Sequence, residues 1–396
     1  MKKFKKMFKW FGISLGAILL LGFLFVYFLW LAKPNSVKSF DQIDDEQWHT
    51  VNLGGESMCS DESEYFIFTR KGKSNNVIIH FSGGGACWDD NSCTKPITIY
   101  KALTEADSKD LKAFYYPVIL DFFNKFLNGI FDNKNKENPF KDWNVVFLPY
   151  CTGDLHVGNI AVNYKNNGEE MKVNHNGQNN TKAALKWIFA NFKNPEKIMV
   201  SGESAGGFAS AYWAPLVAEN YNDHNKIYQL SDCSEIFSER WPTILDSVWN
   251  MDSAKKFNFK IKDDAYTDAL LNRTDSINKR IKHLNSNTMF DIILPRFYAS
   301  LNSKSTKNKD YIYHWSKYMR ESMLQLSKAN IDYEYFLTQC RYDSLKTSTP
   351  HTLIGSDSGL YQCDSNGISY IDWLSKNVIE DESLSLGVEL LTKVSK

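Results

Sequence analysis

Short, uninterrupted apolar runs punctuate the chain at residues 65–69, 77–81, 145–149, 198–201 and 227–230. Each is too short for a helix and shows no polar face, the pattern of strands covered on both sides in a mainly parallel sheet. Between them lie stretches with a helical period. The clearest is 181–192, where Ala184, Leu185, Ile188 and Phe189 form one stripe and Asn194-Pro195 closes the element. Two further strands are read at 291–299 and 332–337, separated by an amphipathic helix from about 311 to 328. Strand and helix alternate, which predicts an α/β fold with a mainly parallel sheet and helices on both faces. Residues 36–61 read as a polar linker, 132–141, 163–180 and 303–310 as surface loops, and 247–287 as a charged, helical lid or surface segment.

The N-terminus follows a different pattern. Residues 1–9 carry five lysines, and 10–32 contain no charged residue. A signal peptide has an apolar region of about 7–15 residues, whereas about 20 are needed to cross a bilayer. The run therefore reads as an uncleaved, single-pass signal anchor, with the lysine flank cytoplasmic and everything after residue 33 translocated. The chain divides into 1–35, a lysine-rich tip and transmembrane anchor in contact with the lipid bilayer, and 36–396, one extracytoplasmic domain.

Composition narrows the partners. Lys+Arg and Asp+Glu balance at 46 each, so no net field draws nucleic acid. An apolar content of 43% supports a sizeable core. The seven cysteines can form disulfides outside the cytoplasm, and the odd number leaves one over; Cys87 and Cys93 are close enough to close a short loop. No cysteine or histidine spacing suggests a structural metal, and no cofactor motif is present.

The strongest chemical signal is Gly202-Glu203-Ser204-Ala205-Gly206, a G-x-S-x-G between a strand and a helix. A turn that sharp strains the serine backbone and needs small flanking residues. A serine is a poor nucleophile without a base and without donors for the developing oxyanion. Gly83-Gly84-Gly85, following the strand at 77–81, offers Gly84 and Gly85 as donors beside Ala205. The order Ser, acid, His confines the base to His224, His283, His314 or His351. His351 follows the last strand, whereas His314 falls inside a helix. The acid is expected after the strand read at 291–299, which selects Asp310, with Asp343 as rival; Asp310 also suits the N-cap of the next helix.

Met58-Cys59-Ser60-Asp61, Gly83-Gly84-Gly85-Ala86-Cys87-Trp88, Tyr150-Cys151-Thr152-Gly153-Asp154, the serine elbow and His351-Thr352 occur in the order seen in pectin acetylesterases and Notum carboxylesterases. The chain resembles that family from about residue 51 onward. The resemblance implies an α/β-hydrolase fold, nucleophile Ser204, base His351 and turn residues Gly84 and Gly85. It supports Asp310 less, since the family's glutamine soon after the aspartate is replaced by Tyr311-Ile312-Tyr313. It also implies the pairs Cys87–Cys93 and Cys59–Cys151, leaving Cys233, Cys340 and Cys363, of which only two can pair. The expected activity is removal of an O-acyl group, O-acetyl on a polysaccharide, through an acyl-serine. The alternatives are a Notum-like carboxylesterase for longer chains and a membrane-anchored binding module without turnover.

Overall fold

The computed structural model describes residues 16, 19–23, 34–94, 127–166, 168–221 and 226–392. In chain order the strands are β1 (Trp48–Asn52), β2 (Phe66–Arg70), β3 (Val77–Phe81), β4 (Asn144–Leu148), β5 (Ile160–Asn166), β6 (Glu169–His175), β7 (Ile198–Glu203), β8 (Ile227–Asp232), β9 (Ile281–Thr288) and β10 (Tyr333–Thr338). Eight of them form one sheet in the order β1-β2-β4-β3-β7-β8-β9-β10, while β5 and β6 pair as a separate hairpin. From β4 to β10 every neighbouring pair is parallel; β1 and β2 add an antiparallel edge. The helices that matter for the site are α1 (Gly177–Asn191), α2 (Ala205–Asn220), α3 (Leu294–Leu301) and α4 (Asp310–Ser327). The result is an α/β fold with a mostly parallel central sheet.

Central strands follow directly from sequence. Every residue of β3 is buried, and Val77, Ile78, Ile79 and Phe81 present branched or aromatic side chains to both faces. β9 does not follow. Its residues, Ile-Lys-His-Leu-Asn-Ser-Asn-Thr, are all buried although five are polar beyond the lysine. They are tolerated because they bond one another and their neighbours: His283 Nδ1 with Gln229 Oε1 at 3.0 Å, Asn285 Nδ2 to Glu235 Oε1 at 2.5 Å, and Ser286 Oγ to Asp232 Oδ1 at 2.8 Å.

This strand displaces the one expected at 291–299. That segment is instead the end of a turn and α3, whose hydrophobic face is helical. The segment 247–287 accordingly holds two short helices, Ser253–Lys256 and Ala265–Leu271, before β9. Within 36–61 the expected linker contains β1, and 163–180 is most of the β5–β6 hairpin and the start of α1. The membrane anchor expected at 10–32 lies outside the described residues except for 16 and 19–23; among the described residues no helix is long and apolar enough to cross a membrane.

Disulfides join Cys59 to Cys151, Cys87 to Cys93 and Cys340 to Cys363, and Cys233 is free and buried. Their sequence separations are 92, 6 and 23 residues. Loop-closure entropy then ranks their effect on the unfolded chain at about 4.5, about 2 and about 3.5 kcal/mol. Urea unfolding of paired alanine variants should therefore show the largest loss for Cys59→Ala with Cys151→Ala and the smallest for Cys87→Ala with Cys93→Ala. An inverted order would show that native packing around the bridges outweighs loop closure.

Candidate active site

Ser204 sits between β7 and α2 with φ 52° and ψ −122°, a left-handed backbone that a side chain rarely adopts. Close packing enforces it. A methyl on Gly206 would stand 1.9 Å from the Phe81 carbonyl oxygen, and one on Gly202 would stand 2.1 Å from that of Gly206. The turn is thus pressed against the end of β3, with Ser204 half-exposed at its tip. Its own N–H donates to the Asp232 carbonyl at 2.8 Å, and Ser234 Oγ donates to its carbonyl at 2.7 Å.

The Gly83-Gly84-Gly85 turn lies against this serine: a methyl on Gly83 would come 2.9 Å from Ser204 Cβ. Glu203 fixes the approach. Its Oε1 accepts the Gly83 N–H at 2.9 Å, and its Oε2 accepts from His80 Nε2, whose Nδ1 meets Ser201 Oγ at 2.9 Å. His156 holds the residue before the turn, donating Nε2–H to the Ser82 carbonyl at 3.0 Å. Burial pushes its imidazole down to about 4, so it stays neutral. Asp154, from the Tyr-Cys-Thr-Gly-Asp motif, is buried and accepts from Thr152 Oγ1 and from the N–H groups of His156, Gly158 and Gly177. That motif supports the turn and does not enter the site. Among the described residues no acceptor stands opposite the N–H groups of Gly84, Gly85 or Ala205.

His351 lies on the loop after β10, its side chain 8% exposed, and its Nδ1 donates to Asp291 Oδ2 at 2.7 Å. Asp291 is fixed in turn, because its Oδ1 accepts the N–H groups of Ile293 and Leu294 at 2.7 and 2.9 Å, at the start of α3. The two loops are stitched together along their backbones: Thr349 N–H donates to the Phe290 carbonyl at 2.8 Å and Ile292 N–H to that of Thr349 at 3.1 Å. Asp232 ties both to the serine turn. Its Oδ2 accepts the N–H groups of Leu353 and Ile354 at 2.6 and 2.9 Å, while its carbonyl holds Ser204. Burial pulls the His351 imidazole down, but the charge and hydrogen bond of Asp291, with the fields of Asp232 and Glu203, outweigh it and hold it above its ordinary value.

Asp310 is not in this cluster. It is exposed at the first turn of α4, where its Oδ2 accepts from Asn308 Nδ2 at 2.7 Å. Asp343 caps its own turn, accepting from Leu345 N–H at 2.9 Å. His314 is exposed on α4, His283 is buried in β9, and His224 lies outside the described residues. The missed residue, Asp291, stands three positions beyond the true end of β9, where an acid after the penultimate strand is expected. The strand expected at 291–299 displaces that position, since β9 has no apolar run to announce it.

Comparison with known proteins adds an independent line. Residues 49–240 match the model of the family PAE, Pectinacetylesterase. The chain is 31% identical over 139 residues to Pectin acetylesterase 7 of Arabidopsis thaliana, covering 34% of this chain and 31% of that protein. It is 25% identical over 225 residues to Pectin acetylesterase 4 of the same plant, covering 54% and 49%. These matches span about a third to a half of the relatives' length. Among solved structures, the Wnt deacylase Notum from Drosophila aligns with a TM-score of 0.57 at 16% identity, covering 85% of this chain and 95% of that one. That likeness is one of fold.

The His351–Asp291 pair makes a direct prediction for titration. In an NMR titration of the imidazole, wild-type His351 should lose its proton above the ordinary value of about 6.5. Asp291→Asn removes the largest upward influence and leaves burial, so the midpoint should fall. An unchanged midpoint would mean that Asp291 does not face the ring in solution.

Proposed function

We propose that this chain, a member of the pectin acetylesterase and Notum family, hydrolyses carboxylic esters with Ser204 as nucleophile, His351 as general base and Asp291 as the acid that orients it. One observation carries the reading: the 2.7 Å bond from His351 Nδ1 to Asp291 Oδ2, on loops bound through Asp232 to the turn bearing Ser204. With Nδ1–H committed to the carboxylate, the neutral ring presents the lone pair of Nε2, the tautomer that can accept the hydroxyl proton.

In this reading Ser204 Oγ attacks the ester carbonyl as its proton passes to His351 Nε2. The negative charge that develops on the carbonyl oxygen is met by the N–H groups of Gly84, Gly85 and Ala205, backbone donors on two turns pressed against each other. Collapse expels the alcohol, which takes the proton from His351 and leaves an acyl-serine. Water, deprotonated by the same imidazole, then releases the acid. Asp291 stabilises the imidazolium without taking its proton. The substrate class is an O-acylated carbohydrate bearing O-acetyl groups, supported by the names of the matching relatives. The three disulfides support an extracytoplasmic domain over 36–396, and the uncharged run 10–32 supports its tethering to a membrane.

A fluorophosphonate should label the wild type and fail to label Ser204→Ala, which should also lose kcat by as much as about 10⁶. His351→Ala should be comparably damaging. Asp291→Asn should cost about 10⁴, since it misorients the ring without removing it, whereas Asp310→Asn should retain the wild-type rate. Full activity in Asp291→Asn would remove it from the mechanism, and wild-type hydrolysis by Ser204→Ala would remove the mechanism itself. Because the base must be neutral, the acid limb of kcat/KM should fall above the ordinary imidazole value of about 6.5. A panel of p-nitrophenyl esters from acetate to palmitate should favour acetate; preference for long chains would instead support a Notum-like deacylase.

A further inference from the structure

Cys233 follows Asp232 at the C-terminal end of β8, in a left-handed conformation with φ 54° that its N–H bond to the Ser286 carbonyl at 2.8 Å helps to hold. It is fully buried and outside the three disulfides. The turn directs it toward the His351 loop: its Sγ, a carboxylate oxygen of Asp291 and a ring nitrogen of His351 all lie within 4.8 Å of one another. We propose that Cys233, Asp291 and His351 form a binding site for a thiophilic divalent cation, with Zn²⁺ as the best fit, and that occupancy switches Ser204 off. The switching clause rests on the proposed serine mechanism; the binding site does not.

Thiolate, imidazole and carboxylate are together a zinc ligand set, and three protein ligands leave a fourth position for water. Hard cations that prefer an all-oxygen shell are disfavoured by the sulfur. Zn–S and Zn–N bonds of about 2.3 and about 2.0 Å put ligand atoms about 3.5 Å apart on a tetrahedron, so the cluster needs to contract by little more than about 1 Å to close. Charge favours the ion as well. Asp291 and the adjoining Asp232 are buried carboxylates, and among the described residues no lysine or arginine is bonded to either. When the ion enters, the Cys233 thiol proton leaves to solvent and an S–Zn bond forms; Zn²⁺, the thiolate and the Asp291 carboxylate then sum to zero. A neutral assembly is what a buried site accommodates.

Either ring nitrogen disables the base. Coordination at Nε2 consumes the lone pair that takes the Ser204 proton. Coordination at Nδ1 breaks the bond to Asp291 and shifts the ring's one proton from Nδ1 to Nε2, the wrong tautomer for accepting another. The Ser204 turn and the oxyanion donors would be untouched, so the inhibited form should stay folded and recover when the metal is stripped.

The test uses the full chain in chelator-free buffer and two readouts. Co²⁺ added to metal-free protein should give a thiolate-to-cobalt charge-transfer absorption that Cys233→Ser lacks. Zn²⁺ should suppress p-nitrophenyl acetate turnover and fluorophosphonate labelling together, EDTA should restore both, and Mg²⁺ should have no effect. In Cys233→Ser and Cys233→Ala, each compared with its own metal-free rate, the half-inhibiting Zn²⁺ concentration should rise at least about tenfold. Equal Zn²⁺ sensitivity in wild type and both variants would overturn the site. Absence of the charge-transfer band in wild type at saturating Co²⁺ would overturn it even if neither variant folds. A chain inert toward every ester yet showing the band would reject the serine mechanism and keep the metal site.

Discussion

Asp232 has no free oxygen. Its carbonyl accepts the Ser204 N–H, one carboxylate oxygen accepts Ser286 Oγ on β9, and the other accepts two consecutive backbone N–H groups just past His351. Three segments far apart in sequence therefore meet on one residue, which is 0% exposed: one on its backbone carbonyl and two on its carboxylate. Burial raises its carboxyl while the bonds from Ile354, Leu353 and Ser286 work against that rise. Such bonds are stronger to a charged acceptor than to a neutral one, and leaving a buried partner unsatisfied costs about 1–3 kcal/mol. The positions of Ser204 and His351 are thus not independent variables. Each is set by the same anchor at the end of β8, and this is why a loop as late as 351–354 can be placed accurately against a turn at 204.

The glycine turn facing Ser204 is built by a second, separate set of contacts. Glu203 lies between the two glycine-flanked elements, with one oxygen on Gly83 and the other on His80. It occupies a variable position of the G-x-S-x-G pattern, so the residue next to Ser204 also holds the glycine turn opposite it. Behind the turn, Tyr150 packs so tightly on Gly84 that a methyl there would come 2.7 Å from its ring, and Cys87 N–H is held by the Gly153 carbonyl at 2.9 Å. The disulfides Cys59–Cys151 and Cys87–Cys93 bracket that layer. Backbone donors are useful to a transition state only if they do not move when charge appears, and these contacts supply that rigidity.

Much of the frame was legible because it depends on local chemistry. The runs at β3, β4, β7 and β8 are apolar and short, as parallel central strands require, and those at β2 and β10 are legible by the same apolar character although β2 is antiparallel and β10 is an edge. Ser204 is legible because a strained turn can be flanked only by residues without side chains to clash, which writes itself into five consecutive positions. The late histidine followed from its place after the last strand. The acid did not follow, and the reason lies in β9. Lys282, His283, Asn285, Ser286, Asn287 and Thr288 are buried there, yet no rule of periodicity marks a buried strand made of polar residues. His283, Asn285, Ser286 and Thr288 find partners in Gln229, Glu235, Asp232 and Pro350, between 50 and 62 residues away, and Lys282 finds its own in Asn377, 95 residues away. With β9 unseen, the next apolar stretch, which is α3, takes its place and moves the expected acid to Asp310, away from the Asp291 that bonds His351.

The sequence by itself determined the α/β alternation, the serine elbow, the glycine turn facing it and the histidine, since each is encoded within a few residues by sterics or by burial. Tertiary structure alone decided that Asp291 meets His351, that Asp232 locks both to Ser204, that Cys340 pairs with Cys363, and that the remaining thiol, Cys233, ends beside Asp291 and His351. Those choices are made by hydrogen bonds and side-chain contacts between segments more than twenty residues apart, whose partners a linear pattern does not contain.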